Sequence, residues 1–205
     1  MALVKMNVFH WHITDDSSFP YESSTDPQLS KMGAYNPVEL VYGKVIVEYL
    51  LKYARLRGIR VVVEFDTPSH TSSWEKGHPG LRTQCYTEGV PNGRTGPFDP
   101  TNTTTMEFLK SFFNETTSAF PERFIHLGGD DVSFECWQSN PEIVKFMETK
   151  GFGEDFGKLE SYYFDELITA IQSVQQERGP ITPVVWEDAF ENGYRVGGSS
   201  YFLEY

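Results

Sequence analysis

His126-Leu127-Gly128-Gly129-Asp130-Asp131 brings an imidazole, two glycines and two adjacent carboxylates into one short run. Two carboxylates facing one site can share acid and base work. On a regular strand neighbours point to opposite faces, so the pair can share a site only where the strand ends. Gly128 and Gly129 permit that break, because glycine adopts backbone angles closed to other residues and lets a ligand approach closely. The same four residues can equally form a solvated acidic turn. Other stretches end in similar groups: His10, Trp11, His12, Asp15 and Asp16; Asp66 and His70; Trp186, Glu187 and Asp188. Two chemistries compete for the set. His10 and His12 alternate onto one strand face, a metal-ligand geometry once further His and Asp residues join. Paired carboxylates with aromatic platforms instead suit cleavage of a glycosidic bond.

Those groups need elements to hold them. Residues 4–13 are β-branched and aromatic with partial alternation, which predicts a strand running into the turn-forming cluster 14–20. A long loop follows to about residue 42, and loops of that length are usually functional. The spacing of Val45, Ile46, Tyr49, Leu50, Tyr53 and Leu56 predicts a helix over 44–57, stopped by Gly58. A second buried strand over 59–65 ends in Asp66-Thr67-Pro68-Ser69-His70. Residues 71–103 read as another loop. A helix over 104–119, with Met106, Leu109, Phe112 and Phe113 inward, precedes the strand opening at Phe124. Pro141 suits the first turn of a helix to 150, and a longer helix spans 158–178 before Gly179. Short strands are predicted at 184–186 and 200–203. Strands alternating with helices imply a parallel sheet and an α/β fold. A doubly wound sheet would carry a Gly-rich phosphate loop after its first strand, and none is present. The prediction is a partial (β/α)8 TIM barrel, since eight units need about 250 residues and the chain has 205.

With 39% hydrophobic and 15% aromatic residues, the composition is that of a globular chain. Its formal charge of −12 and pI of about 4.8 disfavour nucleic acid and anionic membranes as partners and suit a neutral or sugar-like substrate. No apolar run reaches the roughly 18 residues of a membrane span. Residues 1–6 lack the charged lead and apolar core of a signal peptide. Cys85 and Cys136 are compatible with one disulfide or two thiols. Asn102-Thr103-Thr104 and Asn114-Glu115-Thr116 are glycosylation sequons, which lean towards a secretory origin.

Four stretches together resemble glycoside hydrolase family 20, the β-N-acetylhexosaminidases, and are most similar to its lysosomal branch. They are residues 7–16, 64–71, 126–131 and Val184-Val185-Trp186-Glu187, in matching order and spacing along essentially the whole chain. The resemblance implies a fragment of the catalytic barrel over 1–205, roughly its second to its fifth or sixth strand unit. It also implies removal of terminal β-linked GlcNAc or GalNAc by the substrate's own acetamido group, the substrate-assisted route, with no metal and no cofactor. Asp130 matches the aspartate that orients the acetamido nitrogen. Asp131 stands where the family has the glutamate that protonates the leaving oxygen. Asp66, His70, His126 and Asp15 match supporting residues, and Trp186 an aromatic of the acetamido pocket; Glu187 and Asp188 match no such role. Cys85 and Cys136 match a disulfide of the lysosomal branch. Terminal N-acetylhexosamine glycoconjugates are the implied partners, a lysosomal or secreted parent the implied location, and exposed sheet edges leave a dimer open to such a chain.

Three departures qualify the resemblance. Asp131 is one methylene shorter than glutamate, Ser69 replaces a glycine, and the sugar-gripping residues of the first and last strands are not in this chain. The missing strands predict little or no hydrolysis by the chain itself. In the full-length parent, Asp131→Glu is expected to raise kcat on an unactivated disaccharide at least about tenfold, since proton transfer contributes roughly 10²–10⁴-fold. The gain should be small for an activated phenol leaving group. Equal rates on the disaccharide would mean that the backbone has adapted to aspartate.

Overall fold

The computed structural model describes residues 1–173, 179–195 and 201–203, the last three as backbone. After a short 3-10 turn at Ala2–Val4, strand β1 (Val8–Thr14) begins four residues later than the periodicity predicts. Among the described residues no strand pairs with the outer edge of β1, and Leu3, Val4 and Met6 before it are exposed. The long loop that follows contains a short helix, α1 (Gln28–Gly33). Glu115 holds this loop in place, accepting from Ser23 Oγ at 2.8 Å and from the amides of Ser24 and Thr25 at 2.8 and 2.7 Å.

Helix α2 (Lys44–Arg55) corrects the predicted apolar stripe. It rests on the core through Val47, Leu50, Leu51 and Ala54, spaced by three, one and three residues as a core-facing stripe should be. Val45, Ile46, Tyr49, Tyr53 and Leu56, five of the six residues in the predicted pattern, are exposed on the flanks. Gly58 ends the turn at φ 68°, where glycine carries no Cβ penalty. Strand β2 (Arg60–Phe65) pairs parallel to β1, with His12 opposite Glu64.

The predicted loop 71–103 is instead a helix and a hairpin. Helix α3 (Ser72–Gly77) leads into β3 (Arg82–Thr87) and β4 (Val90–Phe98), antiparallel strands closed by Glu88 and Gly89. Both turn residues have positive φ, 51° and 75°, which matches the right-handed twist of a tight hairpin. Helix α4 (Thr103–Ala119) is capped by Asn102, whose side chain accepts from the Thr104 amide at 2.9 Å. Its Leu109, Phe112 and Phe113 are buried as predicted, while Met106 is only partly so.

Strand β5 (Phe124–His126) is short, and α5 (Glu135–Ser139) and α6 (Pro141–Lys150) follow. Asn140 caps α6 with Pro141 in its first turn, and Gly151 closes it at φ 72°. Helix α7 (Phe156–Ser173) starts two residues before the predicted position; its predicted end at 174–178 lies outside the described residues. Strand β6 (Thr182–Trp186), α8 (Glu187–Glu191) and β7 (Tyr201–Leu203) complete the order; residue 200 of the last predicted strand is not described.

The main sheet runs β1-β2-β5-β6-β7, every described pairing parallel. Strand-then-helix alternation around such a sheet is a partial (β/α)8 barrel. One face packs Trp11, Ile13, Val63, Phe65, Ile125 and Val185 with the phenylalanines of α4 and α7. The Phe65 ring meets Phe112 edge-on at 5.0 Å between centroids, a favoured aromatic geometry. The other face carries the polar groups. Among the described residues no helix is long and apolar enough to cross a membrane.

Cys85 and Cys136 are bonded, with Cα atoms 4.5 Å apart, so β3 is tied to α5. Asn140 Nδ2 donates to Gln84 O at 3.0 Å and the Tyr86 amide to Ser139 Oγ at 3.0 Å across the same seam. The bond spans 51 residues of sequence, which in the chain-entropy account stabilises the fold by about 4 kcal/mol. Replacing both cysteines by serine is expected to cost roughly that amount in denaturant unfolding. A loss below about 1 kcal/mol would contradict the chain-entropy account for this bond.

Candidate active site

The polar face is assembled where the strands stop. Beyond β2, the Thr67 amide and hydroxyl both reach Leu127 O at 2.9 Å, extending the contact with β5 past the last ladder pair. That places Asp66 against the two glycines. Gly128 and Gly129 have φ of 82° and 104°, and a Cβ on Gly128 would fall on the Asp66 carboxylate. The Gly129 amide donates to Asp66 Oδ1 at 3.3 Å. The glycines therefore serve both to turn the chain and to admit a buried carboxyl.

Asp66 is fully buried, and the loss of solvation, the neighbouring charges of Asp130 and Glu64 and a hydrogen bond with Asp130 push its pKa up to about 10. Asp66 Oδ2 and Asp130 Oδ1 have no hydrogen-bond donor among the described residues if both carboxyls are ionised. A proton on Asp66, the direction in which its surroundings push it, would supply the missing donor. His70 completes the group: its Nε2 lies 3.6 Å from Asp130 Oδ2 and 4.0 Å from Asp66 Oδ2, and its Nδ1 lies 3.3 Å from Asp15 Oδ1. His70 sits at φ 55°, a left-handed angle that side chains other than glycine adopt only where surroundings impose it. The Asp15 main chain is anchored by Ser73 Oγ at 2.6 Å.

Below this group lies a second one centred on Glu64. Its side chain is fully buried and contacts His10 Nε2 at 2.6 Å, His12 Nδ1 at 3.2 Å and His126 Nδ1 at 3.4 Å. Trp186 Nε1 donates to Glu64 Oε1 at 2.8 Å. Burial alone would raise the Glu64 pKa, but the His10 and His12 contacts outweigh it and carry it well below the ordinary carboxylate range. His12 is raised by its bond to Glu64, against the opposing effect of burial, with help from Asp15. His126 goes the other way, down to about 4, because burial dominates over the attraction of Glu64.

Of the residues singled out in the sequence, Asp15, Asp66, His70 and Asp130 come together, and His126 and Trp186 line the adjoining Glu64 group. Asp131 does not enter the cluster of Asp66, His70 and Asp130: it is exposed on the rim at φ 50°, and its carbonyl accepts from Ser69 Oγ at 3.3 Å. The serine that departs from the family pattern thus touches the aspartate that also departs from it. Asn102 caps α4 and Asn114 is exposed on it. Glu187 is exposed and Asp188 half-buried. Glu64 was not singled out; its signal is an acid at the end of the apolar run Val61-Val62-Val63. Four triads among the described residues hold ligand atoms within 4.8 Å of one another and could take a cation: His10, Glu64 and His126; His12, Glu64 and Asp66; Asp15, Asp16 and His70; and Asp66, His70 and Asp130.

Acidic groups and histidines converging at the C-terminal ends of parallel strands define a barrel enzyme site. The whole of residues 1–203 matches Glycosyl hydrolase family 20, catalytic domain, and the chain belongs to that family. It is 50% identical over 196 residues to the beta-hexosaminidase subunit alpha of Bos taurus, covering 96% of this chain and 36% of the relative. Identity to the Mus musculus subunit beta is 50% over 192 residues, 94% of this chain and 35% of that protein. The chain therefore spans about a third of the length of these relatives. A Flavobacterium johnsoniae chitobiase superposes with a TM-score of 0.76 at 28% identity, covering 92% of this chain and 28% of its own. An exo beta-N-acetylglucosaminidase of Vibrio harveyi, solved with N-acetylglucosamine, shares the fold at a TM-score of 0.79 and 24% identity, over 98% and 33% of the two chains.

A neutral buried Asp66 makes a signed prediction. Its folded pKa of about 10 stands above the ordinary 3.8, so its stabilising contribution is complete below 3.8 and is lost as pH rises towards 10. Asp66→Asn keeps a donor for Asp130 and removes that dependence. Relative to the wild type, the variant should gain stability as pH is raised from about 5 to about 8. A difference between the two proteins that does not change with pH would show that Asp66 is ionised in the fold.

Proposed function

We propose that this chain carries the catalytic core of a β-N-acetylhexosaminidase that removes terminal β-linked N-acetylglucosamine or N-acetylgalactosamine. The observation that carries the reading is Asp130, flanked by neutral Asp66 on one side and His70 on the other, at the strand ends of a family 20 barrel. In this reading the substrate's acetamido oxygen attacks the anomeric carbon, forming a C–O bond as the glycosidic C–O bond breaks. The leaving oxygen takes a proton from Asp131. Positive charge then gathers on the oxazolinium ring, where the Asp130 carboxylate, oriented by Asp66, stabilises it and accepts a hydrogen bond from its N–H. Water then attacks the anomeric carbon, giving a proton back to Asp131 as the bond from that carbon to the acetamido oxygen breaks, so the configuration is retained. Trp186, held by Glu64, is the flat wall against the acetamido methyl.

The chain provides five parallel strands of the eight in a closed barrel, and we take residues 1–205 as a piece of that one domain. The remaining sugar contacts come from other strands of the same barrel, or from a second copy seated on the open edge of β1. A secreted or lysosomal setting fits the Cys85–Cys136 disulfide and the sequons at Asn102 and Asn114. The exposed position of Asp131 favours a second reading, a glycan-binding chain without turnover.

Hydrolysis of a chromogenic β-N-acetylglucosaminide by this chain, beside a longer family member, tests the proposal. The expected rate is a small fraction of the longer enzyme's, with no turnover of the matching β-glucoside. N-acetylglucosamine, but not glucose, should shift the Trp186 indole resonance. Hydrolysis of the plain glucoside, or the absence of both N-acetyl-dependent hydrolysis and the indole shift, would overturn it. The indole shift without hydrolysis would select the binding reading.

A further inference from the structure

The two groups at the strand ends are linked by one continuous line of contacts. Glu64 Oε2 lies 3.2 Å from His12 Nδ1, and His12 Nε2 lies 3.5 Å from Asp15 Oδ2. The other oxygen of Asp15 is 3.3 Å from His70 Nδ1, and His70 Nε2 is 3.6 Å from Asp130 Oδ2. Carboxylate and imidazole alternate along the whole path, from the fully buried floor to the reacting group. We propose that Glu64 and His12 are positioning residues of the active site: through Asp15 they set the ring orientation of His70 and the nitrogen on which it carries its proton. The inference rests on the hydrolase reading for its functional meaning and on this geometry for its substance.

The physical argument begins with Asp15. Its backbone is held by Ser73 Oγ and by paired bonds with Ser18, the Asp15 amide donating at 3.1 Å and the Ser18 amide at 3.2 Å. Its Oδ1, the oxygen that faces His70, also accepts from the Asp16 amide at 2.5 Å, and the carboxylate is about half exposed. An imidazole placed between two carboxylates donates from both nitrogens, so His12 can hold one Asp15 oxygen while Glu64 holds His12. The second Asp15 oxygen is then left facing His70 Nδ1. Without His12 the Asp15 Oδ2 loses its partner and the Asp16 amide alone steadies the carboxylate, while Asp16 Oδ2 stands 3.9 Å from the same His70 nitrogen and competes for it. Several acidic groups face the line from neighbouring elements. His12 meets Glu64, Asp66 and Asp15, while His70 meets Asp15, Asp16, Asp66 and Asp130.

Glu64 thus has two effects at once. Its Oε1 accepts from the Trp186 indole and its Oε2 faces His12, so one buried charge aligns the aromatic wall and the imidazole line together. A glutamine at 64 would keep an oxygen for Trp186 but lose the charge that holds His12.

The test is the spectrum of imidazole N–H protons in the ¹⁵N-labelled 205-residue chain. In the wild type the His70 Nδ1–H, facing Asp15 Oδ1 at 3.3 Å, is expected as a downfield resonance protected from solvent exchange. His12→Ala should abolish that resonance while leaving the fold intact, since His12 is 41% exposed. Glu64→Gln should weaken it and leave the Trp186 indole resonance in place. His78→Ala, which removes a separate contact with Asp26 at 2.6 Å, should change nothing at His70. An unchanged His70 resonance in folded His12→Ala would overturn the proposal, and this variant decides the matter even if Glu64→Gln fails to fold. The measurement involves no sugar, so it stands or falls independently of the hydrolysis assay.

Discussion

The structure depends on one buried charge. Glu64 sits at the centre of the sheet with no exposed surface, and four side chains from β1, β5 and β6 approach its two oxygens. An isolated carboxylate in such a place would cost several kcal/mol of lost hydration. Here the cost is offset by His10, His12 and the Trp186 indole, while His126 Nδ1 accepts from the Gly128 amide at 3.1 Å and gives Glu64 no proton. These groups come from strands far apart in sequence and meet only if the strands are in register. His12, Glu64, His126 and Val184 lie in one row across the sheet. A one-residue slip of any strand would turn its donor to the opposite face. The polar interior therefore specifies register that apolar packing on the other face would enforce less sharply.

The chemistry follows from how the strands end. β5 is only three residues long, and the chain turns at once through Gly128 and Gly129. The turn opens a space that the Asp66 carboxyl fills. The same low polarity that keeps Asp66 neutral strengthens its bond to Asp130. Two neighbouring carboxyls thus stand in different surroundings: Asp66 is fully buried with its pKa raised, while Asp130 is partly exposed beside His70. Asp131, one residue further on, is back in solvent. The left-handed angle at Asp131 and the contact from Ser69 make its position a local property of this chain.

Much of this was legible in the sequence, and the failures have physical causes. Buried strands announced themselves by β-branched runs, and the polar clusters after 65 and 126 marked the site. The hairpin at 82–98 was missed because Pro91, Gly93, Gly96 and Pro97 contradict strand preference; pairing, the disulfide and the Trp137 Nε1 bond to Phe98 O at 3.1 Å hold it regardless. The stripe on α2 was misread because so many of its residues are apolar that helical spacing alone did not single out the buried set. The role of Glu64 was hidden for a different reason. Its partners come from residues 10, 12, 126 and 186, and only register brings them together.

The most direct test of this account is the ¹³C resonance of the Glu64 side-chain carboxyl followed through an acid titration of the folded protein. An ordinary glutamate takes up its proton near 4.5, and Glu64 is held below that value by its histidine partners. The account predicts a carboxylate that remains ionised through 4.5 and does not protonate before the fold itself is lost. A midpoint at or above 4.5 in the folded protein would contradict it, because the carboxyl would then be buried without the charge that organises its neighbours.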